Sequence, residues 1–401
     1  MLNIIFVSVQ NYNANSTIHI HHFALGQSDL GHNVVVCIPD DKQTAKIHLY
    51  KEPKYMIKEY EETLRGDFKF PDGRGPDIIH AFTPREIVRE QVSQLKKKFP
   101  TAKLVVHLED NEEFILERNM KVPMKKINEW PIEEMDRWIT KYLSHPIYYK
   151  RLLERCDGVT VIIDKLLEFV PTDKPHLILW PIIDTQHFKP REKEQKLIEK
   201  WGLKDQFVIC YTGNVHEANT EEVRSLYLAV ALANREGIPT KLIRTGKDFA
   251  NFYGEQKEWA LKNTIELGFV NWNQIPSILS VSDMLIQPGR GSDRWNDYRL
   301  PSKVPEFLAM GKPVAVPNSN IGKYLKDKEE ALILKEGDGL EMLNAIKLIY
   351  EDKVLSQKLS NKGREFVLKN FNQEIISKKL QDFYYSLINR KPETVCNGEN
   401  I

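Results

Sequence analysis

Residues 283–319, DMLIQPGRGSDRWNDYRLPSKVPEFLAMGKPVAVPNS, hold two short apolar runs separated by a polar loop and a helical stretch. The runs DMLIQPG and PVAVPNS are bounded by glycine or proline and have the length of buried parallel strands. Gly311 and Pro313 suit the end of the helix between them, because glycine fits a helix C-terminus and proline cannot continue the helix. The segment predicts a strand, a helix and a second strand, and hence an α/β fold.

The same alternation extends outward along the whole chain. In the second half, further strands are predicted at FVICYTG (207–213), TKLIRTG (240–246) and TIELGFV (264–270). In the first half, the strand-like runs are the opening MLNIIFVSVQ, GHNVVVCIP after a helical stretch at 18–30, DIIHAF (77–82), KLVVHLE (103–109) and GVTVII (158–163). Helix-length segments separate these runs, as parallel sheets require. We predict two Rossmann-like domains that face each other across a cleft.

The chain length and one proline-rich stretch suggest where the domains divide. A chain of 401 residues exceeds the size at which a single hydrophobic core keeps growing. The prolines of HLILWPIIDTQHFKP (176–190) interrupt regular structure, so the hinge is placed there. The predicted divisions are a first domain at 1–185, a second at 186–375, and at 376–401 a helix that returns to the first domain, followed by a tail.

Composition excludes several classes of function. With 57 basic and 56 acidic side chains, the chain has no overall positive field to attract nucleic acid. Its four cysteines lie far apart, so neither a zinc site nor a disulfide framework is indicated. The start lacks the basic leader of a secretory signal, and no stretch reaches the length of a membrane span. These observations predict a cytoplasmic protein that does not bind nucleic acid.

A predicted helical insertion at 124–155 leaves a membrane role open. Its sequence, MKKINEWPIEEMDRWITKYLSHPIYYKRLLER, is rich in aromatic and basic residues. The favoured interpretation is a pair of amphipathic helices that covers the first sheet, because such faces usually belong to a core. The alternative is peripheral contact with the inner membrane face or with a lipid-linked acceptor.

The stretch RLPSKVPEFLAMGKPVAVPN (299–318) resembles the donor-site signature of glycosyltransferase family 4, also called group 1. That signature has P-S-K, then a glutamate, then a small-residue helix that ends in G-K-P-V. Three further stretches are similar to the family in the same order: ERCDGVTVIIDKLLEFV (154–170), LILWPIIDTQHFKP (177–190) and GFVNWNQIPSILSVSDMLIQPG (268–289). The resemblance implies the GT-B fold, and a retaining transfer of sugar from a nucleotide diphosphate, most simply a UDP- or GDP-sugar, to a hydroxyl acceptor such as a glycan or a lipid-linked glycan.

The resemblance also implies roles for residues of the second domain. Glu306 matches the family glutamate that accepts hydrogen bonds from the ribose. Lys303 and the free amides at the start of its helix would hold the diphosphate, and Gly213 would let the backbone approach it. The other predicted donor-binding residues are Asn214, Arg244, Tyr298 and Arg299, with Arg290 as a further cation. The D-x-D motif is missing from the sequence, so no catalytic metal and no cofactor beyond the nucleotide-sugar co-substrate are predicted.

The chain departs from the family pattern at two places. Many members have a second glutamate eight residues before the first, where Tyr298 stands here, and the neighbouring Asp297 is the predicted catalytic substitute. Members also commonly carry an arginine after the first glycine of the second domain, where this chain has Asn214. Lys303 and the arginines are left to neutralise the diphosphate.

The acceptor is expected to bind at the first domain. Strand KLVVHLE ends at Glu109, next to Asp110, and ligands of open α/β sheets sit beyond the carboxyl ends of strands. Both carboxylates are predicted to be catalytic, by orienting the acceptor hydroxyl; a solvated acidic loop is the alternative. His107 shares a strand face with Glu109. Asn15, Ser16 and His19, after the first strand, are weaker acceptor-side candidates.

Retention without a protein nucleophile would follow a front-face route, in which the leaving diphosphate takes the proton of the acceptor. Catalysis would then consist of positioning and charge stabilisation. Rival hypotheses are a non-catalytic partner subunit that kept the fold, a nucleotide-sugar epimerase and a sugar phosphorylase. A dehydrogenase is disfavoured because no G-x-G-x-x-G follows the first strand.

Overall fold

A computed structural model describes residues 1–13, 15–48, 52–217, 219–251, 253, 257–291 and 295–389, without the side chains of residues 15, 47, 48 and 257. The chain divides into two compact units. Unit 1 comprises Met1–Ile182 and the C-terminal segment that begins at Gln373, and unit 2 is Ile183–Asn372.

Unit 1 is built on a parallel sheet of seven strands. They are β1 (Asn3–Ser8), β2 (Asn33–Ile38), β3 (Met56–Glu59), β4 (Ile78–Phe82), β5 (Lys103–Leu108), β6 (Gly158–Val161) and β7 (His176–Ile178), in the spatial order β3-β2-β1-β4-β5-β6-β7. All pairings are parallel, and β1 lies between β2 and β4. Every residue of β1 and β4 is buried, as expected for central strands covered on both faces. The strand order reverses at β1, so loops after β1 and β4 diverge and leave a crevice there.

Helices cover this sheet. They include α1 (Asn15–Asp29), α2 (Thr44–His48), α3 (Tyr60–Leu64) and α4 (Glu86–Lys98), the helices α5 to α8 that are described below, and the last helix of the described chain. Helix α16 (Gln373–Ile388) packs on α1, where the Gln27 side chain donates a 2.8 Å hydrogen bond to the carbonyl of Ser377. Tyr384 of α16 is fully buried against the sheet residues. The predicted return of the C-terminal helix to the first domain is confirmed.

Four short helices follow β5, and the last three of them occupy the predicted insertion at 124–155 in place of the expected pair. They are α5 (Glu112–Met120), α6 (Met124–Ile127), α7 (Ile132–Trp138) and α8 (Pro146–Arg155). Prolines precede or begin three of them, because proline fits the first turn of a helix and cannot continue one. Their apolar side chains form a small core of their own around Leu116 and Ile127.

Unit 2 repeats the plan with six parallel strands. They are β8 (Phe207–Thr212), β9 (Thr240–Thr245), β10 (Thr264–Glu266), β11 (Met284–Ile286), β12 (Val314–Pro317) and β13 (Leu332–Leu334), in the order β10-β9-β8-β11-β12-β13. The helices are α9 (Gln195–Trp201), α10 (Thr220–Arg235), α11 (Lys257–Lys262), α12 (Ile275–Ser280), α13 (Lys303–Ala309), α14 (Gly339–Glu351) and α15 (Lys353–Asn370). The order reverses at β8, which places the crevice of this unit between the loops after β8 and β11.

The strands that sequence patterns miss or overextend lie at sheet edges. Strands β3, β7 and β13 were not predicted, and β10 covers only the first three residues of the predicted TIELGFV. Edge strands are covered on fewer sides and need fewer apolar residues, and all of β3 is only half-buried. The short polar sequence MIKE therefore carries little of the apolar signal by which the central strands are recognised.

Candidate functional site

The crevice of unit 2 is lined by backbone that needs glycine. Gly213 follows β8, and its N–H donates a 3.0 Å hydrogen bond to the carbonyl of Thr245. Gly246, after β9, has φ of +111°, and a Cβ there would lie 2.2 Å from the carbonyl oxygen of Gly213. A Cβ on Gly213 would lie 3.0 Å from Nζ of Lys303. The two glycines let three segments of chain converge, and they bring the Lys303 ammonium to the end of β8.

Lys303 is the first residue of α13. Its Nζ lies over the ring of Tyr211, 5.9 Å from the centroid, and makes no hydrogen bond or ion pair with the described residues. Burial lowers the pKa of Lys303 to about 8, the charge of Arg299 acts in the same direction, and Glu306 opposes them. Burial removes part of the water that would solvate the ammonium, so a bound anion would stabilise its charged form.

Glu306 lies one turn further along α13 than Lys303. Its side chain is half-buried and forms no hydrogen bond or ion pair within the described ranges of the chain. Burial raises the pKa of Glu306 to about 8, against the influence of Lys303. The Glu306 carboxyl and the Lys303 ammonium lie on one face of α13 without forming an ion pair with each other. They can therefore bind separate parts of one ligand.

The other predicted donor residues are engaged with protein groups. Arg244 is buried, and its Nη2 lies 2.6 Å from a carboxylate oxygen of Glu266 and 2.7 Å from one of Asp248. Two carboxylates thus balance its charge, which favours a structural role in holding β9, β10 and the intervening loop. Arg290, in the loop after β11, forms an ion pair with Glu221 of α10.

Neighbouring protein groups hold the predicted residues of the loop before α13. The carboxylate of Asp297 forms an ion pair with Lys323, in which Oδ1 lies 2.7 Å from Nζ. Arg299 donates to the side chain of Asn296 at 2.7 Å and stacks over the Trp295 ring. The backbone N–H of Tyr298 donates to the carbonyl of Trp295 at 3.3 Å. These contacts place Tyr298 and Arg299 just ahead of Lys303 and direct the Asp297 carboxylate to a lysine.

Asn214 shapes the turn after β8. Its Oδ1 accepts a 2.8 Å hydrogen bond from the backbone N–H of Lys247, and its carbonyl accepts one from the side chain of Asn219. The side chain is exposed at the carboxyl edge of the sheet. Its observed bonds hold the loops after β8 and β9 together.

In unit 1, Glu109 is a buried carboxylate at the end of β5. Its Oε1 lies 3.0 Å from Nδ1 of His19, on α1, and 3.9 Å from Nε2 of His107. Ser16 also hydrogen-bonds to it. Burial pushes the pKa of Glu109 upward, but the bond to His19, the two histidines and Ser16 outweigh it and lower the pKa to about 2. The predicted residues Ser16, His19, His107 and Glu109 are therefore brought together at the crevice of unit 1.

Two residues near Glu109 were not anticipated from the sequence. Arg85, at the start of α4, forms a two-pronged ion pair with Glu112 and is also influenced by the charges of Asp110 and Glu109. Thr160 of β6 bonds to Nδ1 of His107 at 2.8 Å. The signal for Arg85 was its position after β4, the strand next to the switch point. The side chain of Asn15, another acceptor-side candidate, lies outside the described residues.

Two general properties of the described residues bear on the site. No group of three or more histidine, cysteine, aspartate or glutamate side chains among them is arranged to hold a metal ion. No helix in the described ranges is long and apolar enough to cross a membrane.

Comparisons with known proteins now add to this geometry. Residues 206–352, which contain β8 to β13 and α13, match the family model described as "Glycosyl transferases group 1". Unit 2 resembles the group 1 glycosyl transferases. The resemblance predicted from residues 299–318 is thereby confirmed for the unit that contains Lys303 and Glu306. No curated protein matches the sequence.

Solved structures match over almost the whole chain. HepE of Anabaena, crystallised with UDP and glucose, is 13% identical, with a TM-score of 0.71 over 96% of this chain and 100% of that one. A glycosyltransferase of Rickettsia africae is 13% identical, with a TM-score of 0.68 over 97% and 99%. Sucrose-phosphate synthase of Thermosynechococcus elongatus is 14% identical, with a TM-score of 0.67 over 96% and 99%. At this identity the matches show the fold, and the two parallel sheets are those of the GT-B architecture.

Proposed function

We propose that the chain is a retaining glycosyltransferase that uses a UDP- or GDP-sugar as donor. The observation that carries the proposal is that Lys303 and Glu306 lie on one face of α13, neither with a hydrogen bond or ion pair to the described residues, inside the segment that matches the group 1 family model. A diphosphate and a ribose supply groups that these two side chains can bind: an anion for the ammonium of Lys303 and hydroxyl groups for the carboxyl group of Glu306.

The charge of the donor decides which residues bind it. A nucleoside diphosphate carries its negative charge on the phosphates, so Lys303 and the backbone at Gly213 are the groups proposed to bind them. Arg299, whose charge already acts on Lys303, is the second proposed cation. Arg244 contributes indirectly, because its ion pairs to Glu266 and Asp248 hold the loops that surround Gly213.

Glu109 is proposed to orient the acceptor hydroxyl rather than to remove its proton. A carboxylate with a pKa of about 2 is a weak base at neutral pH, because a general base works best with a pKa near the operating pH. It remains a good hydrogen-bond acceptor. The leaving diphosphate would take the proton in the front-face route, and retention of configuration follows from attack on the face that the diphosphate leaves.

Transfer is proposed to need no metal, because side-chain cations and backbone amides neutralise the leaving group. The acceptor is proposed to be a sugar, a lipid-linked glycan or another hydroxyl compound. Its binding site would include Glu109, His19 and Ser16, which already meet at the end of β5. Asp110 and Arg85 flank that position and would set the charge around the acceptor.

A thermal-shift screen against UDP, GDP, ADP and dTDP sugars tests the proposal. A ligand that binds only the folded chain raises the melting temperature in proportion to RT ln(1 + [L]/Kd). We expect a UDP- or GDP-sugar to raise it for the wild-type chain and for Lys347→Ala, which removes an exposed lysine paired with Glu236. The shift should be much smaller for Lys303→Ala. No shift with any of the four bases would contradict the proposal.

A further inference from the structure

A continuous line of buried polar side chains crosses unit 1 from the C-terminal helix to Glu109. The Tyr384 hydroxyl lies 2.7 Å from Nδ1 of His80, whose Nε2 lies 3.0 Å from Oγ1 of Thr160. The same Oγ1 lies 2.8 Å from Nδ1 of His107, and Nε2 of His107 faces Glu109 at 3.9 Å. Four of these residues are at most 1% exposed, so water does not interrupt the line.

Neighbouring strands place these side chains on one face of the sheet. His107 of β5 is directly opposite Thr160 of β6 and Phe82 of β4. His80 lies two residues before Phe82 on the same face, as the alternation of a strand requires. The Phe82 ring lies against both imidazoles, at centroid distances of 4.8 and 4.6 Å. Aromatic packing and the hydrogen bonds to Tyr384 and Thr160 thus hold the two rings in place.

Both imidazoles are neutral at physiological pH, so each has one N–H. Burial lowers the pKa of His80 well below 6.5 and lowers the pKa of His107 to about 4. Thr160 has one hydroxyl proton and can donate it to only one of the two rings. The line can therefore have only two complete arrangements, with every hydrogen bond directed either toward Glu109 or away from it.

The two ends of the line select the direction. If the bonds ran away from Glu109, His80 would donate to the Tyr384 hydroxyl, whose own proton would have no acceptor among the described residues. The lone pair of His107 would also face the Glu109 carboxylate. In the opposite direction, Tyr384 donates to His80, His80 donates to Thr160, and Thr160 donates to His107. The protons of Tyr384, His80 and Thr160 then all have acceptors within hydrogen-bonding distance, and Nε2–H of His107 faces the Glu109 carboxylate at 3.9 Å.

We propose that this polarised chain of hydrogen bonds positions the acceptor-side carboxylate, with Thr160 and Tyr384 as positioning residues that act on Glu109 through His107. Thr160 fixes the His107 ring, and Tyr384 satisfies the far end of the chain. Aligned hydrogen bonds polarise one another and present their positive end to Glu109. His19, Ser16 and Arg85 act on the same carboxylate from other elements. The catalytic consequence rests on the proposed function, whereas the direction of the chain does not.

Nitrogen-15 NMR of the histidine-labelled wild-type protein tests the direction without any assay of activity. The signals of the two rings are assigned from their loss in His80→Gln and His107→Gln. We expect both rings to carry their proton on Nε2. A proton on Nδ1 of either ring would overturn the polarised chain. In Tyr384→Phe, Nδ1 of His80 should lose its hydrogen-bond shift, and Tyr385→Phe, on the same helix outside the chain, should leave it unchanged.

Kinetics with matched variants test the positioning role. Thr160→Val preserves shape but removes the hydroxyl, and we expect kcat to fall by up to about 100-fold, the effect of displacing a reacting group by about 1 Å. Donor affinity should stay unchanged, and Thr160→Ser should restore kcat. Wild-type kcat in Thr160→Val, with a large loss in Glu109→Gln, would overturn the positioning role. Wild-type kcat in Glu109→Gln would instead overturn the acceptor-side assignment, and the positioning role with it.

Discussion

Replacing Lys303 with alanine should weaken the binding of a nucleoside diphosphate far more than that of the corresponding nucleoside. The ammonium has no hydrogen-bonding partner within the described residues, lies beside Gly213, and is partly shielded from water. Its contact with a phosphate would be a charge-assisted hydrogen bond, and losing such a bond costs about 1.5–3 kcal/mol. At about 1.4 kcal/mol per tenfold change, affinity should fall by about 10- to 150-fold.

Titration calorimetry with UDP and uridine, or with GDP and guanosine if the screen selects guanine, provides the measurement. The nucleoside lacks phosphates, so its affinity for Lys303→Ala should match that for the wild-type chain. Lys347→Ala serves as the control for loss of a lysine elsewhere in unit 2. Equal weakening of diphosphate and nucleoside would refute the reasoning, because it would make Lys303 a structural residue of the loop and transfer the phosphate role to Arg299.

Because burial lowers the pKa of Lys303 to about 8 and a phosphate stays ionised above about pH 6, the diphosphate-to-nucleoside affinity ratio should fall as pH rises through about 8. Lys303→Arg, whose charge persists, should flatten that profile, and a wild-type profile that is already flat would contradict the assignment. Glu306→Gln keeps the shape but weakens the acceptor for ribose hydroxyls, so calorimetry should show weaker donor binding with little change in melting temperature. Chelation by EDTA should leave transfer intact because Lys303 and Arg299 neutralise the diphosphate, whereas activity lost and restored specifically by Mg²⁺ or Mn²⁺ would count against this mechanism.

Sequence patterns predicted the central strands because these carry continuous apolar runs. Strands β1, β4 and β8 are wholly buried and were all recognised. The edge strand β3 was missed because an edge position requires little apolar sequence. The edge strand β13 is apolar but only three residues long, so its apolar run is too short to be recognised. The three short helices at 124–155 were predicted as a pair, since periodicity alone does not show where prolines divide a helical stretch.

The residues of the candidate site also differ in how far the sequence could predict them. Some belong to a local sequence motif, whereas the roles of others depend on tertiary contacts. Lys303 and Glu306 belong to a contiguous motif and could be proposed from the sequence alone. Arg244 was also predicted to bind the donor, from its position at the end of β9, but its neutralisation by Glu266 and Asp248 depends on contacts between separate loops. The line from Tyr384 to His107 joins residues 304 positions apart at its first bond, so no sequence spacing reveals it.

The measurement that tests the central claim most directly is release of nucleoside diphosphate from a sugar donor by the purified chain, with and without candidate acceptors. We expect UDP or GDP to be released from the donor that the screen identifies, and release to be strongly reduced in Lys303→Ala and Glu306→Gln but not in Lys347→Ala. Proton NMR of the product should show the anomeric configuration of the donor. Tight donor binding without release or transfer would contradict the account and would identify the chain as a non-catalytic subunit that kept the fold.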